Sequence, residues 1–281
     1  MSGPLGSNFM MQSGAASGFY THQISHSARF DSGDSSYLSR THSGTATNED
    51  VGLISFWFKR GGNINETTNE CIAGGDGSSN LRLEFNTNNP SGFKDALTAT
   101  INGDSAHTTS RRFADSAAWT NLVIEYNSDD STSDDRFKLY INGVKYPSFT
   151  TGSGTGTGAT DAWRQNGTTN ITSGLDFDFT NNGGTTYFGR SPANSGAYYS
   201  GYIAELIVVD GSASYTDVGE SKNGVWIPKE YTGSFGNNGY HLKFEDASDL
   251  GNDSSGNNND FSANNMGTDH QVIDSPTFTA P

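Results

Sequence analysis

One cysteine in 281 residues leaves no internal disulfide, and Cys71 reads as a small buried hydrophobe rather than a nucleophile. Seven prolines against 35 glycines suit many tight turns, and the glycines follow no collagen period. Basic residues are scarce: 16 Lys and Arg face 31 Asp and Glu, for a net charge of −15. That balance argues against nucleic acid, whose phosphates need clustered cations, and against docking on an anionic membrane surface. No apolar run approaches membrane-spanning length. The opening MSGPLGSNFMMQSGAASGFY has no basic start and no continuous apolar stretch, so no signal peptide is expected. No helical period of useful length and no fixed repeat appear. His-Glu-x-x-His is absent, and His22 and His26 precede a strand rather than sharing a helix face. The glycine-rich GSGTGTG at 152–158 lacks the Lys-Ser/Thr of a phosphate loop.

What is present is period-two alternation between short turn-rich segments. NLRLEFNT places Leu81, Leu83 and Phe85 on one face. DRFKLYINGV does the same with Phe137, Leu139 and Ile141, GLDFDFT with Leu175, Phe177 and Phe179, and GYHLKFED with Tyr240, Leu242 and Phe244. One buried and one wet face per strand is the pattern of antiparallel sheets. ISFWFKR and YIAELIVVDG are apolar on both faces, as central strands of a two-sheet stack are. Asn142-Gly143 between KLYI and VKY predicts a type I′ hairpin turn, which needs positive φ at both positions. The apolar content of 32% is low, yet aromatics at 12% are too many for a disordered chain. The fold class expected is all-β: a two-sheet antiparallel jelly-roll sandwich of about a dozen strands, with its longest loop near 150–172. Residues 1–19 read as an N-terminal arm and 20–281 as one domain.

SARFDSGDSSYLSRT, ISFWFKRG, DRFKLYINGV and GYIAELIVVDG, in that order, resemble the concanavalin A-like lectin/glucanase superfamily, and within it the laminin G-like jelly rolls. VWIPKEYTG, FGNNGYHLKF, DLGNDSSGNNNDF and the closing VIDSPT extend the likeness over roughly residues 20–275. The version it resembles is common in tail-fibre and virion proteins of marine bacteriophages. A DSSGNNND-like segment, which often precedes the SARFD-like strand, comes near the end here. The resemblance therefore implies that Tyr240–Phe244 lies beside the N-terminal strand, with the termini close together.

The glucanases of that superfamily carry Glu-x-Asp-x-x-Glu, which sets nucleophile and acid on one sheet face. The chain has no such run, and Asp176 and Asp178 read as a solvated face, so no enzyme activity is expected. Asp246, Asp249, Asn252, Asp253, Asn257 and Asp260 offer hard oxygens at short spacing, the ligand type calcium selects. Laminin G-like domains often hold calcium in surface loops, whereas the alternative is a loop of Asx turns bonding its own backbone. A second acidic loop, 127–135, is a weaker candidate of the same kind. Trp163, Arg164, Tyr198 and Tyr199 are the candidate carbohydrate contacts, because an aromatic face stacks on a sugar while polar neighbours bond its hydroxyls. The resemblance implies a non-enzymatic virion-surface protein, fibre or capsid decoration, that binds glycan and partners other virion proteins and copies of itself. A free or secreted carbohydrate-binding module and a glucanase-like hydrolase stand as alternatives.

Overall fold

The two segments that are apolar on both faces, Val51–Arg60 and Gly201–Asp210, pair antiparallel with each other at the centre of one sheet. The computed structural model describes residues 18–61, 69–77, 80–85, 94–101, 105–146, 163–165, 171–193 and 196–277, with backbone alone for 105–107, 110 and 163–165. In chain order the strands begin with β1 Ser27–Phe30, β2 Tyr37–Thr41, β3 Val51–Arg60, β4 Glu70–Gly75, β5 Arg82–Phe85 and β6 Ala96–Ile101. There follow β7 Ser105–Arg112, β8 Thr120–Asn127, β9 Phe137–Ile141, β10 Val144–Lys145, β11 Trp163–Gln165 and β12 Thr185–Phe188. The last are β13 Gly201–Asp210, β14 Gly219–Lys222, β15 Val225–Pro228, β16 Tyr240–Leu242, β17 Ser262–Asn264 and β18 Gln271–Val272. Sheet A runs β10-β9-β8-β3-β13-β1-β18, with β16 also on β13, and sheet B runs β11-β7-β6-β5-β4-β12-β2-β17. Two antiparallel sheets stacked face to face form a jelly-roll sandwich. The eighteen described strands exceed the dozen expected because many are only two to four residues long.

The alternating residues of β5 and β9 enter the inter-sheet core as their pattern requires: Leu83 and Phe85, then Phe137, Leu139 and Ile141. Asn142 and Gly143 have φ of 50° and 73°, the type I′ signature. At Gly143 the Trp226 ring lies over the backbone, leaving no room for a side chain.

Three local expectations are corrected. The 174–180 segment alternates like a strand but forms turns, with Phe177 and Phe179 both buried in the core. Asp178 is not on a wet face: it is fully buried, and its carboxylate accepts the Leu81 N–H at 2.7 Å. That tertiary hydrogen bond outweighs the local pattern, because a buried amide without a partner is costly. Within the expected 150–172 loop, Trp163–Gln165 lies as a strand against β7, and 147–162 and 166–170 fall outside the described residues. Finally, β16 pairs with β13 rather than β1. The N-terminal strand instead takes β18, and the Ile24 N–H donates to Thr277 Oγ1 at 2.8 Å, so the two ends of the described chain do meet.

The outer face of sheet A is covered. Leu53, Val123, Ile207 and Val209 pack beneath Val218, Tyr215, Tyr231 and Phe235. Ile24 of the N-terminal segment packs with Trp57 and Ala204. A bulge between Ala204 and Ile207 puts Glu205 at a φ of 48° and carries its buried carboxylate to His22 and His241, each 2.9 Å from Oε1. The paired rings hold that carboxylate at a pKa of about 2, against the desolvation that alone would raise it. An ionised carboxylate only accepts, so each ring keeps its proton on Nε2.

Candidate functional site

The Asp/Asn-rich stretch after β16 is ordered by its own side chains. Asp253 is buried, and its two oxygens accept from His241 N, Ser255 N, Ser255 Oγ and Asn259 N at 2.7–2.9 Å. Asp260 accepts the Asp253 N–H at 2.9 Å, and Asn257 Nδ2 donates to the Gly236 and Gly239 carbonyls. These three candidate calcium residues are thus engaged inside the loop. The other three, Asp246, Asp249 and Asn252, are exposed and line one open cleft of about 510 Å³ with Glu245 and Gln271. Even there Asp246 Oδ1 accepts from Ser248 N and Oγ, which holds its carboxyl below the usual range. Asp249 Oδ1 accepts Gly251 N at 3.2 Å. Among the described residues no cluster of three or more His, Cys, Asp or Glu has the geometry of a metal site.

The candidate aromatics separate. Tyr199 is fully buried; its hydroxyl donates to the Lys59 carbonyl at 2.9 Å, and its ring packs on Phe30 and Phe85. It is a core residue, which corrects its reading as a ligand contact. Its chain neighbour points the other way, since successive residues of an extended chain alternate sides. Tyr198 is half-buried on the outer face of sheet B. Trp163 and Arg164 lie on edge strand β11, and their side chains fall outside the described residues.

Tyr198 is one member of a cluster. Its ring centroid lies 6.2 Å from that of Tyr37, which lies 6.2 Å from that of Tyr187. The Arg190 guanidinium sits over the Tyr37 and Tyr187 rings at 5.0 and 5.1 Å, within cation–π range. Three elements supply these groups: β2, β12, and the return segment whose Tyr198 bridges to Arg190. On β2 and β12, Leu38 and Phe188 point into the core, so Tyr37 and Tyr187 point out.

Tyr37, Tyr187 and Arg190 were not among the sequence candidates. The chain does hold a signal for them in two parallel runs, Tyr-Leu-Ser-Arg at 37–40 and Tyr-Phe-Gly-Arg at 187–190. The first arginine follows strand parity and reaches the C-terminal loop, where Arg40 donates to the Asp260 carbonyl at 3.0 Å and to Asn259 Oδ1. The second does not, because Gly189 has a φ of +86° and resets the register. A Cβ there would lie 2.4 Å from a Phe30 ring atom, so only glycine makes this turn. One glycine thus sends Arg190 out beside the tyrosines.

The polar atoms of this ridge are unengaged. None of the three phenol hydroxyls makes a hydrogen bond among the described residues, and Arg190 makes no ion pair among them. Its Nε is buried without a partner. Half-buried aromatic faces with open hydroxyls and one guanidinium fit a ligand having apolar faces and hydroxyl rims, which is the chemistry of a sugar ring.

No family model matches the chain, and no curated protein matches it. Among solved structures it is similar to one from Bacteroides ovatus described as a putative carbohydrate binding protein, with a TM-score of 0.56 and 15% identity. That match covers 86% of this chain and 59% of the other, so the chain spans less than two thirds of that protein's length. It is also similar to a heptameric SAP-like pentraxin from Limulus polyphemus, with a TM-score of 0.41, 14% identity and coverage of 70% and 76%. Domains LG4-5 of the mouse laminin alpha1 chain give 0.41 and 12%, covering 69% of this chain and 46% of the other. Likeness at these identities is one of fold: the chain is a two-sheet antiparallel jelly-roll sandwich.

Proposed function

We propose that this chain is a non-enzymatic, lectin-like module that binds glycan on the outer face of sheet B, with Tyr198, Tyr187 and Tyr37 as the stacking surface. The observation that carries this reading is the ridge itself: three tyrosines and an arginine share one face, with the phenol hydroxyls and the guanidinium unengaged among the described residues. The fold shared with the Bacteroides ovatus protein described as a putative carbohydrate binding protein supports it by analogy. The missing Glu-x-Asp-x-x-Glu run supports the non-enzymatic part.

The sequence resemblance extends the reading to a virion-surface protein, fibre or capsid decoration, whose partners are other virion proteins and copies of itself. Many copies on one particle turn weak single-site binding into avidity. Calcium enters as a ligand of the cleft formed by Asp246, Asp249 and Asn252, the candidate oxygens that face it.

A glycan array probed with multivalent protein tests the binding. Binding by the native chain, reduced about tenfold or more by Tyr198→Ala and unchanged by Trp119→Ala on the opposite face, is the expected result; each well-stacked ring contributes on the order of 1 kcal/mol beyond its buried area. No binding in any array position would sink the reading. Mass spectrometry of purified particles tests the virion assignment, and absence of the chain from them would leave a free module.

A further inference from the structure

The chain carries almost twice as many acidic as basic side chains, yet the half-buried Arg40, Arg136 and Arg190 form no ion pair among the described residues. Arg40 and Arg136 donate to carbonyl oxygens instead, whereas Arg190 makes no hydrogen bond among them. Arg29, Lys59, Arg60, Arg82, Lys138 and Lys145 all lie within 4.0 Å of an acid. Arg190 has none among the described residues, and Gly189 turns it away from the core onto two tyrosine faces. Its Cζ lies 5.0 and 5.1 Å from the two ring centroids, which confines the guanidinium to this face. A guanidinium so placed, with its N–H donors unpaired among the described residues, suits bidentate contact with an oxyanion.

We propose that the tyrosine ridge selects an anionic sugar, with Arg190 as the specificity-determining residue for its carboxylate or sulfate and the three tyrosines as the platform for the ring. The proposal rests on the glycan reading above and adds the charge of the ligand. The oxyanion meets Arg190 through two N–H donors, while the sugar face lies on Tyr187 or Tyr198 and the free phenol hydroxyls bond its ring hydroxyls. A surface of net charge −15 does not gather anions unspecifically, so a preference for anionic sugars reports this site.

The test is titration of the whole chain with three oligosaccharides of equal length: neutral, uronic-acid-containing and sulfated. One or both anionic arms should bind about tenfold or more tighter than the neutral arm, as a charge-assisted pair does over a neutral contact. Which arm wins assigns carboxylate or sulfate. Arg190→Gln should erase that preference and leave the weaker neutral binding, and Arg190→Lys should restore only part of it, because an ammonium lacks the planar fork. Circular dichroism and the melting curve confirm that each variant folds, and Arg29→Gln, on the outer face of sheet A between the core residues Ala28 and Phe30, serves as a control arginine away from the ridge. Equal binding of all three arms, or an anion preference that survives Arg190→Gln, overturns the proposal while the glycan reading stands. Binding of none overturns both.

Discussion

The two outer faces of the sandwich carry aromatic clusters of similar make-up and opposite use. On sheet A, Tyr140 and Tyr215 stack with centroids 4.1 Å apart, and Tyr215 stacks on Trp226 at 5.7 Å. Two of the three have their polar atoms engaged: the Tyr140 hydroxyl donates to Glu125 Oε2 at 3.1 Å and the Trp226 indole N–H donates to Asn121 Oδ1 at 2.8 Å, while Tyr215 is tied down by its backbone N–H, which donates to Glu125 Oε1 at 2.8 Å. Burial and the neighbouring carboxylate push the Tyr140 phenol well up. On sheet B, the Tyr187 and Tyr198 rings each lie 6.2 Å from that of Tyr37, with all three hydroxyls unengaged among the described residues and a guanidinium lying over two of the rings. The difference teaches that aromatic content does not identify a binding surface. What matters is whether the polar edges of the rings already have partners within the fold.

The largest expected effect falls on the sheet A cluster. Trp226→Ala removes a ring wedged over Gly143 and leaves Asn121, itself fully buried, without its donor. A loss of about 4 kcal/mol in urea unfolding is expected, from the cavity and the orphaned amide oxygen together. A loss under about 1 kcal/mol would mean that the cluster is no more structural than the ridge.

The next effect is acid lability on that same face. Glu205 has a folded pKa of about 2 against an ordinary 4.5, so its contribution is fully present above about pH 4.5 and is lost as pH falls toward 2. The size is on the order of 3 kcal/mol. His22 has the opposite sign: its pKa is raised, first through its hydrogen bond to Glu205, so its share is present below 6.5 and fades as pH rises through its folded value. Denaturation midpoints at pH 7, 4.5 and 3 should fall steeply below 4.5 in the native chain and much less in Glu205→Gln. An identical acid slope in both would refute the coupling.

Tyr187→Ala on the ridge should cost only about 1 kcal/mol of stability, as a half-buried ring whose hydroxyl has no partner, while lowering glycan affinity more than it lowers stability. Should stability fall as far as in Trp226→Ala, the ridge is scaffold. The smallest effect is that of calcium at the Asp246, Asp249 and Asn252 cleft. Millimolar calcium should raise the melting temperature by about 2–4 °C through mass action on the native state, EDTA should reverse it, and Asp249→Ala should abolish it. An unchanged curve leaves the loop as Asx turns alone.

The fold class was legible in the sequence because a half-buried strand cannot hide its period of two. Leu83 and Phe85, then Leu139 and Ile141, went where alternation sent them, and Asn142-Gly143 turned as positive φ demands. Alternation failed at 174–180, where Asp178 is needed by a distant backbone N–H. The proposed ridge is half legible: Tyr198 is among the sequence candidates, Tyr199 next to it is core, and nothing in the local pattern joins Tyr37, Tyr187 and Arg190 to it. They lie on segments 150 residues apart that meet only because β2 and β12 are neighbours in sheet B.

The amino-acid sequence alone determined the sheet-forming pattern, the acidic surface and the absence of a glucanase carboxylate run, since each is a property of neighbouring residues or of their sum. Only the tertiary structure decided which oxygens of the Asp/Asn loop face the cleft and which cap their own backbone. It also decided which of two similar Tyr-x-x-Arg runs turns its arginine inward. The physical reason is the same in both cases: a polar group is available to a ligand only after the fold has claimed the partners it needs, and those partners come from strands far away in the chain.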